Sequence, residues 1–277
     1  ANLRVIGNTA AFGAGIYAEA GNPALTNCTV AGNKARDDGG GMYTSGIYGS
    51  PTLTNCNFTG NSARDGGGIS SYHGSPTLTN CTVSSNSAGR GGGIYNSYDS
   101  TPTLINCTVT GNSAPEGGGM FINGSPTLTN CLVAFNSSGI HLGGYSNATI
   151  THCCFYNPDG YEFSGIDNPV GTEGNISADP QCVNPAYGDF RLQPESPCVN
   201  AGDSAAVEIE IDLSGSPRIQ GGEVDIGAHE SDGSVITPQA PPVFYVRTDG
   251  DDTNDGLSWT MAKASVQAAI DAAATSG

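Results

Sequence analysis

A unit that recurs about every 25 residues, strand-prone pieces only a few residues long within it, and a wealth of turn formers (41 Gly and 16 Pro) predict an all-β fold. The expected architecture is a right-handed parallel β-helix, a solenoid of stacked coils, with one short capping α-helix. Length gives little guidance here, because a solenoid grows by adding coils.

The unit reads Pro-Thr-Leu-Thr-Asn-Cys-Thr-Val-x-Gly-Asn-Ser-Ala, then a polar spacer, then Gly-Gly-Gly followed by Ile or Met. Clear copies start at Pro51, Pro76, Pro102 and Pro126, with an earlier one at Pro23 and a partial one entering at Val5. The Asn after each apolar triplet falls at Asn8, Asn33, Asn61, Asn86, Asn112 and Asn136, in steps of 25, 28, 25, 26 and 24. Such steps mean loops of variable length on a fixed frame. A leucine-rich repeat has a similar period but needs several leucines per unit, whereas each unit here has one and is otherwise Thr, Asn, Val, Ile and Gly.

Each coil divides into three strands. In the coil that starts at Pro23 these are Leu25-Thr26, then Cys28-Thr29-Val30 after an Asn turn, then Gly41-Met42-Tyr43 after the spacer. Alternation points Leu25, Cys28 and Val30 inward and the threonines outward. Stacking places like on like: Leu53, Leu78, Leu104 and Leu128; Val83, Val109 and Val133; Ile69, Ile94 and Met120. Six coils at ~4.8 Å each give a rod on the order of 30 Å long. Asn27, Asn55, Asn80, Asn106 and Asn130 sit where a tight turn needs positive φ, and their amides are placed to hydrogen-bond along the stack. Cys28, Cys56, Cys81, Cys107 and Cys131 occupy one position per coil, which is the behaviour of stacked small core residues and not of metal ligands. Gly66 to Gly68 and Gly91 to Gly93 let the chain bend where a Cβ would clash.

The pairing of Phe58 to Asn61 and Val109 to Asn112 with Gly66 to Ile69 resembles the repeats of polymorphic outer-membrane autotransporter passengers and of other bacterial surface β-helix proteins. That resemblance covers roughly residues 1–150 and rests on packing residues, so it implies a fold and a surface location more than an activity. Further on, Ala178-Asp179-Pro180-Gln181-Cys182, Ser196-Pro197-Cys198 and Asp225-Ile226-Gly227-Ala228-His229-Glu230 look like the end of the choice-of-anchor group of β-helix surface proteins. The resemblance implies that this stretch forms the last coils. The organisation expected is repeated coils over 1–158, atypical terminal coils over 159–230, a Ser/Gly/Pro linker over 231–242, and a strand with a cap helix over 243–277. The last element resembles the N-terminal cap of the same group, displaced to the end as the cap of a next module or a neighbouring subunit. An apolar stripe of Val266, Ala269, Ile270 and Ala273 is then available to cover the open first coil at Leu3, Val5, Phe12 and Ile16, which predicts head-to-tail partnership with copies of itself. Because the start at Ala1 falls inside a repeat, the chain is expected to be a slice or processed product of a longer array.

Of the net charge of −17, residues 1–158 hold only −1 (six acidic, five basic), so −16 lies in 159–277. With no basic patch, nucleic acid is not an expected partner. No apolar run reaches the ~18 residues of a transmembrane helix, so membrane insertion is not expected either. A secreted or cell-surface protein with a carbohydrate or cell surface as partner fits this acidic, Lys-poor composition.

Few residues offer chemistry. The loop carrying Asp249, Asp251, Asp252 and Asp255 supplies oxygen ligands suited to calcium, though the twelfth position from Asp251 is Ala262 where an EF-hand needs an acid. No other cofactor is expected. Cys182 and Cys198 are placed to close the terminal coils as a disulfide in an oxidising compartment. A polysaccharide hydrolase needs paired carboxylates, and a lyase needs a basic residue beside calcium-binding acids. The coils have no repeated Asp pair and almost no Lys, and Asp37, Asp38 and Asp65 read as solvated turn charges, as do Arg36 and Arg64. Rows such as Thr26, Thr54, Thr79 and Thr52, Thr77, Thr103, Thr127 suit a flat ice or crystal surface but are also ordinary solvent-facing strand residues. The sequence therefore favours a non-enzymatic structural module of an array, adhesin or filament over a carbohydrate-binding or polysaccharide-degrading protein.

Overall fold

The computed structural model describes residues 2–46, 49–98, 100–144 and 146–238, together with 249, 251, 253 and 263–265. The chain forms two compact units, Ala1–Ile236 and Thr237–Gly277. The cap helix expected within 243–277 lies outside the described residues.

Three parallel sheets form the walls of a solenoid in the first unit. Each coil contributes one short strand to each wall, as in Ala24–Thr26, Thr29–Ala31 and Met42–Ser45. Among the described residues the leucine sheet has six strands, from Ala24–Thr26 to Thr149–Thr151. The valine sheet has eight, from Arg4–Ile6 to Ile176–Ser177. The third, here the broad sheet, has seven, mostly of four residues, from Ile16–Glu19 to Phe163–Ser164. The six expected coils are thus too few. The later levels escape the repeat pattern because Cys154-Phe155 and Ile176-Ser177 stand where the repeat has Thr-Val, and the step from Asn136 to Asn157 shortens to 21 residues.

The register follows the expected ladders. Leu53, Leu78, Leu104 and Leu128 are paired neighbours. Val83, Val109 and Val133 continue from Phe58, and Ile69, Ile94 and Met120 run parallel to them. All are fully buried, each worth ~1.5–3 kcal/mol of apolar burial. The five turn asparagines have φ between 51° and 57°. Glycine fills two different needs in the bend before the broad sheet. Gly66 has φ of 65°, whereas a Cβ on Gly92 would stand 2.6 Å from both the Gly118 and Ser113 carbonyl oxygens of the next coil.

The strongest device in the interior is a second asparagine column, at Asn33, Asn61, Asn86, Asn112 and Asn136, which the sequence marks only as the ruler of the repeat. Each of these donates its backbone N–H and its Nδ2–H to the Oδ1 of the asparagine one coil on, at 2.9–3.1 Å. Nδ2 also donates to a carbonyl one coil back, such as that of Phe58 for Asn86. The column ends at Asn157, whose N–H and Nδ2–H donate to the two oxygens of Glu162. A buried amide satisfied on both sides adds stability and also fixes register, since a slip by one residue leaves all its partners unmade.

The stretch expected to form terminal coils does so only at Phe163–Ser164 and Ile176–Ser177. Beyond these, Cys182–Asn184 and Asp189–Leu192 make an antiparallel pair, and the chain turns back along the outside of the solenoid. Asp203 N–H donates to Asn130 Oδ1, Asn80 Nδ2 donates to the Ile211 carbonyl, and Ala228 N–H donates to Thr108 Oγ1. This return segment covers the valine sheet, so Thr82, Thr108 and Thr110 are buried rather than solvated. A string of short loops cannot stack as coils without the repeated Leu, Val and Gly positions. It docks instead by hydrogen bonding to turn asparagines already held in the left-handed conformation.

Candidate functional site

The interior is filled by packing and by the asparagine column, so functional groups must be sought on the outer faces. With the valine sheet covered, the broad sheet is the richest. Its strands open with an inward Ile or Met, so the second residue of each points outward: Tyr17, Tyr43, Ser70, Tyr95, Phe121 and His141 stand in one row. Tyr17 stacks on Tyr43 with ring centroids 5.6 Å apart, Tyr95 on Phe121 at 5.4 Å, and Phe121 on His141 at 4.6 Å with the planes only 7° apart. A second cluster joins Tyr72, His73 and Tyr98 at 4.5–4.8 Å.

A charged ladder borders this row. Asp38, Asp65, Arg90 and Glu116 are bridged neighbours on successive coils. Arg90 donates from Nε and Nη2 to the two Asp65 oxygens at 3.0 and 2.8 Å, while Arg64 reaches Asp38 at 3.0 Å and Asp65 at 3.3 Å. The Arg90 guanidinium also lies over the Tyr95 and Phe121 rings, at 5.0 and 5.5 Å. Its hydrogen bond to Asp65 raises its pKa. Burial raises that of Asp38, with the Arg64 charge opposing. The Tyr43 phenol is pushed up to about 12 by burial and by the nearby Asp38 charge. The expectation that Asp65 is a solvated turn charge is therefore corrected: its side chain is 5% exposed and two arginines hold it.

Between coils, Arg90, Tyr95, Ser97, Tyr98, Asn123 and the bare backbone of Gly143 line a shallow groove of about 520 Å³. Tyr98 is half exposed. Flat rings, a guanidinium already neutralised by its carboxylate, and a primary amide make a surface for stacking and hydrogen bonding, and the Ser97 hydroxyl donates to the Ser71 carbonyl. The sequence carries this row at one fixed place, the residue after Gly-Gly-Gly-Ile/Met, and that periodic signal was open to detection.

A second cluster went unrecognised in the sequence. Within the return segment Arg218 is 1% exposed, and its Nη1 lies 3.4 Å from Glu230 Oε1. Its Nη2 donates to the carbonyls of Gly227 and Asp225. Asp225 accepts from the N–H groups of Asn200 and Ser231, and Asp212 from those of Ser216 and Glu230. Burial pushes the Glu230 carboxyl up to about 8, opposed by Arg218, and raises Asp225 as well. These carboxylates are engaged in holding loops together. His229 lies 2.8 Å from Ser214 through Nδ1, and burial lowers its pKa.

The remaining predicted site residues are placed as follows. Cys28, Cys56, Cys81, Cys107 and Cys131 form the expected buried ladder and Cys153 extends it, with backbone N–H to sulfur distances of 3.3–3.4 Å between several neighbours. No disulfide joins Cys182 to Cys198 in this structure. Along the turn column Asn80 donates to Asn55 and Asn130 to Asn106, in pairs rather than as a continuous run. The pairs alternate with bonds to the return segment, where Asn80 Nδ2 also donates to the Ile211 carbonyl and Asn130 Oδ1 accepts from the Asp203 N–H. In the loop expected to suit calcium, Asp251 Oδ1 accepts from the Thr253 N–H and hydroxyl, which lowers its pKa. Asp252 and Asp255 lie outside the described residues, and among the described residues no three acidic, His or Cys side chains gather as a metal site. Leu3 and Phe12 are exposed at the first coil, while Val5 and Ile16 pack against the core. Val266, Ala269, Ile270 and Ala273 lie outside the described residues. No described helix is long and apolar enough to cross a membrane.

A family model described as right-handed beta helix region matches residues 15–175 of the chain, more than half its length. No curated protein matches it.

Proposed function

The chain belongs to the right-handed β-helix family, and we propose that it serves as a non-catalytic structural module outside the cell or on its surface, a rigid rod that adds end to end to copies of itself. The observation that carries this reading is where the buried polar groups of the coils are used. Asn33 to Asn136 bond to one another from coil to coil, and Asp65 is spent on Arg64 and Arg90. Such an interior favours rigidity over chemistry. Among the described residues the strand Arg4–Ile6 ends the valine sheet, with Leu3 and Phe12 exposed beside it. An edge of that kind suits a further coil or a cap. Incubation with a panel of acidic polysaccharides is expected to yield no new reducing or unsaturated ends, and sustained release of either kind would overturn the non-catalytic reading. Deleting residues 243–277 is expected to leave monomers or shorter fibres by electron microscopy, and unchanged fibre length would contradict end-to-end docking.

The Arg90 groove favours a second reading, in which the rod also binds carbohydrate. Its guanidinium is neutralised by Asp65 and the chain carries −17 overall, so a neutral glycan suits it better than an acidic one. In affinity electrophoresis through neutral polysaccharides, Tyr98→Ala is expected to reduce retardation about 10-fold, the worth of one stacked ring. Equal mobility of variant and parent in every gel would remove this reading and leave the rod.

A further inference from the structure

We propose that Cys154 and Cys198 are the two halves of a disulfide clasp that fastens the return segment to the outer face of the solenoid. Cys153 and Cys154 are adjacent in the chain but do different things. Cys153 points inward and continues the cysteine ladder, accepting from the Cys131 N–H. Cys154 begins the strand Cys154–Tyr156 and points the other way, at the register position filled by Thr108 and Leu132 on the preceding coils. That outer face is the one the return segment covers, and Cys154 is fully buried beneath it.

The partner comes from the covering layer. Cys198 is also fully buried and belongs to the same apolar cluster as Cys154, with Leu132, Ala134, Leu192 and Ile226 around them. Both thiols therefore lie in one dry cluster between the strand and the covering segment, where Cys154 Sγ donates to the Ala178 carbonyl at 3.4 Å. Their backbones are held on both sides. Cys154 N–H donates to the Cys131 carbonyl, while Cys198 accepts at its carbonyl from the Ile226 N–H and donates its own N–H to Ser196 Oγ. A disulfide of ~2.05 Å between them forms by a closing movement of two thiols already packed in one cluster on held supports. Cys182 packs against the edge of the cluster and is only partly buried. It lies on the antiparallel pair opposite Leu192 and is the thiol left over.

Burial raises the pKa of Cys182 to about 12, and the neighbouring Cys154 thiol together with burial raises that of Cys198. The docked Cys198 is therefore a poor nucleophile, and oxidation belongs to the stage before the segment docks. With oxidised glutathione, the Cys198 thiolate attacks one sulfur of the reagent and releases one glutathione thiolate. The Cys154 thiolate then displaces the second from the mixed disulfide. The protein loses two thiol protons and two electrons, and the reagent's disulfide becomes two thiols. Occupancy of the clasp in the organism rests on the extracellular reading, whereas its formation in a defined redox buffer does not, so the two can fail separately.

The test uses the full chain, purified reduced, unfolded and refolded in a mixture of oxidised and reduced glutathione, then alkylated and digested for mass spectrometry. Expected is one linked peptide pair containing Cys154 and Cys198, lighter by two hydrogens, with the other seven cysteines alkylated. Cys182→Ser is expected to keep this link, and in both proteins protease release of the return segment should be about 100-fold slower when oxidised than when reduced. A Cys182–Cys198 link, loss of the Cys154–Cys198 link in Cys182→Ser, or alkylation of all nine cysteines would overturn the proposal.

Discussion

Replacing Asn86 by alanine is expected to destabilise the chain by about 4 kcal/mol. The Asn86 side chain accepts from the Asn61 N–H and Nδ2–H and donates to the Phe58 carbonyl and to Asn112 Oδ1, four hydrogen bonds of 2.9–3.0 Å in a site closed to water. At about 1 kcal/mol each, their loss already exceeds the effect of most substitutions. The Asn61 amide is left with unmet donors in a dry interior. The same substitution at the exposed Asn147, whose side chain carries no such column, is expected to change stability by less than about 0.5 kcal/mol. Denaturant unfolding of both variants measures the difference, and similar midpoints would mean that the column does not bind the coils together.

Arg218→Met is expected to cost about 3–5 kcal/mol, measured as earlier unfolding and faster proteolysis of residues 182–231. The guanidinium lies at the centre of Glu230, Asp225 and Asp212, none of which is exposed. Without it Asp225 and Asp212 keep only their backbone N–H partners and no cation remains beside the buried Glu230. A related pH dependence follows from Glu230, whose carboxyl is raised to about 8 by burial. The folded chain binds this proton more tightly than the unfolded chain, so its contribution is complete below the ordinary carboxylate range and is lost as pH rises through 8. The loss should be at most on the order of 5 kcal/mol, from the rise from 4.5 to about 8 at ~1.4 kcal/mol per pH unit. Glu230→Gln, which keeps the shape of the protonated acid, should flatten the profile between pH 5 and 8. An unchanged slope in that variant would assign the pH dependence to other groups.

The parts of the fold legible in the sequence are those that repeat. Leu78 pairs with Leu104, and Val83 with Val109, because the solenoid sets equal residues at equal heights, so the period alone gives the register. The positive φ at Asn55 and Asn80 follows equally from residue type and spacing. The return segment was not legible in this way. Asp203 meets Asn130 across 73 residues and Ala228 meets Thr108 across 120, and neither contact leaves any periodic mark. Taking the segment as more coils also misplaced the thiols, because Cys198 then has only Cys182 as a neighbour in sequence while the fold brings Cys154 to it. Asp65 looked solvated because a spacer Asp in isolation usually is. Its burial follows from Arg64 beside it and Arg90 one coil on, visible only once the coils are in register. The aromatic row at Tyr17, Tyr43, Tyr95 and Phe121 had a signal as regular as the leucines, interrupted by Ser70.

Hydrogen exchange at the side-chain amides, followed by nuclear magnetic resonance, tests the stacked register most directly. The Nδ2 protons of Asn61, Asn86 and Asn112 should be protected as strongly as the most stable backbone amides, exchanging only when the whole solenoid opens. Exchange at these three asparagines as fast as at the exposed Asn147 would contradict the stacked column and, with it, the account of how the coils hold together.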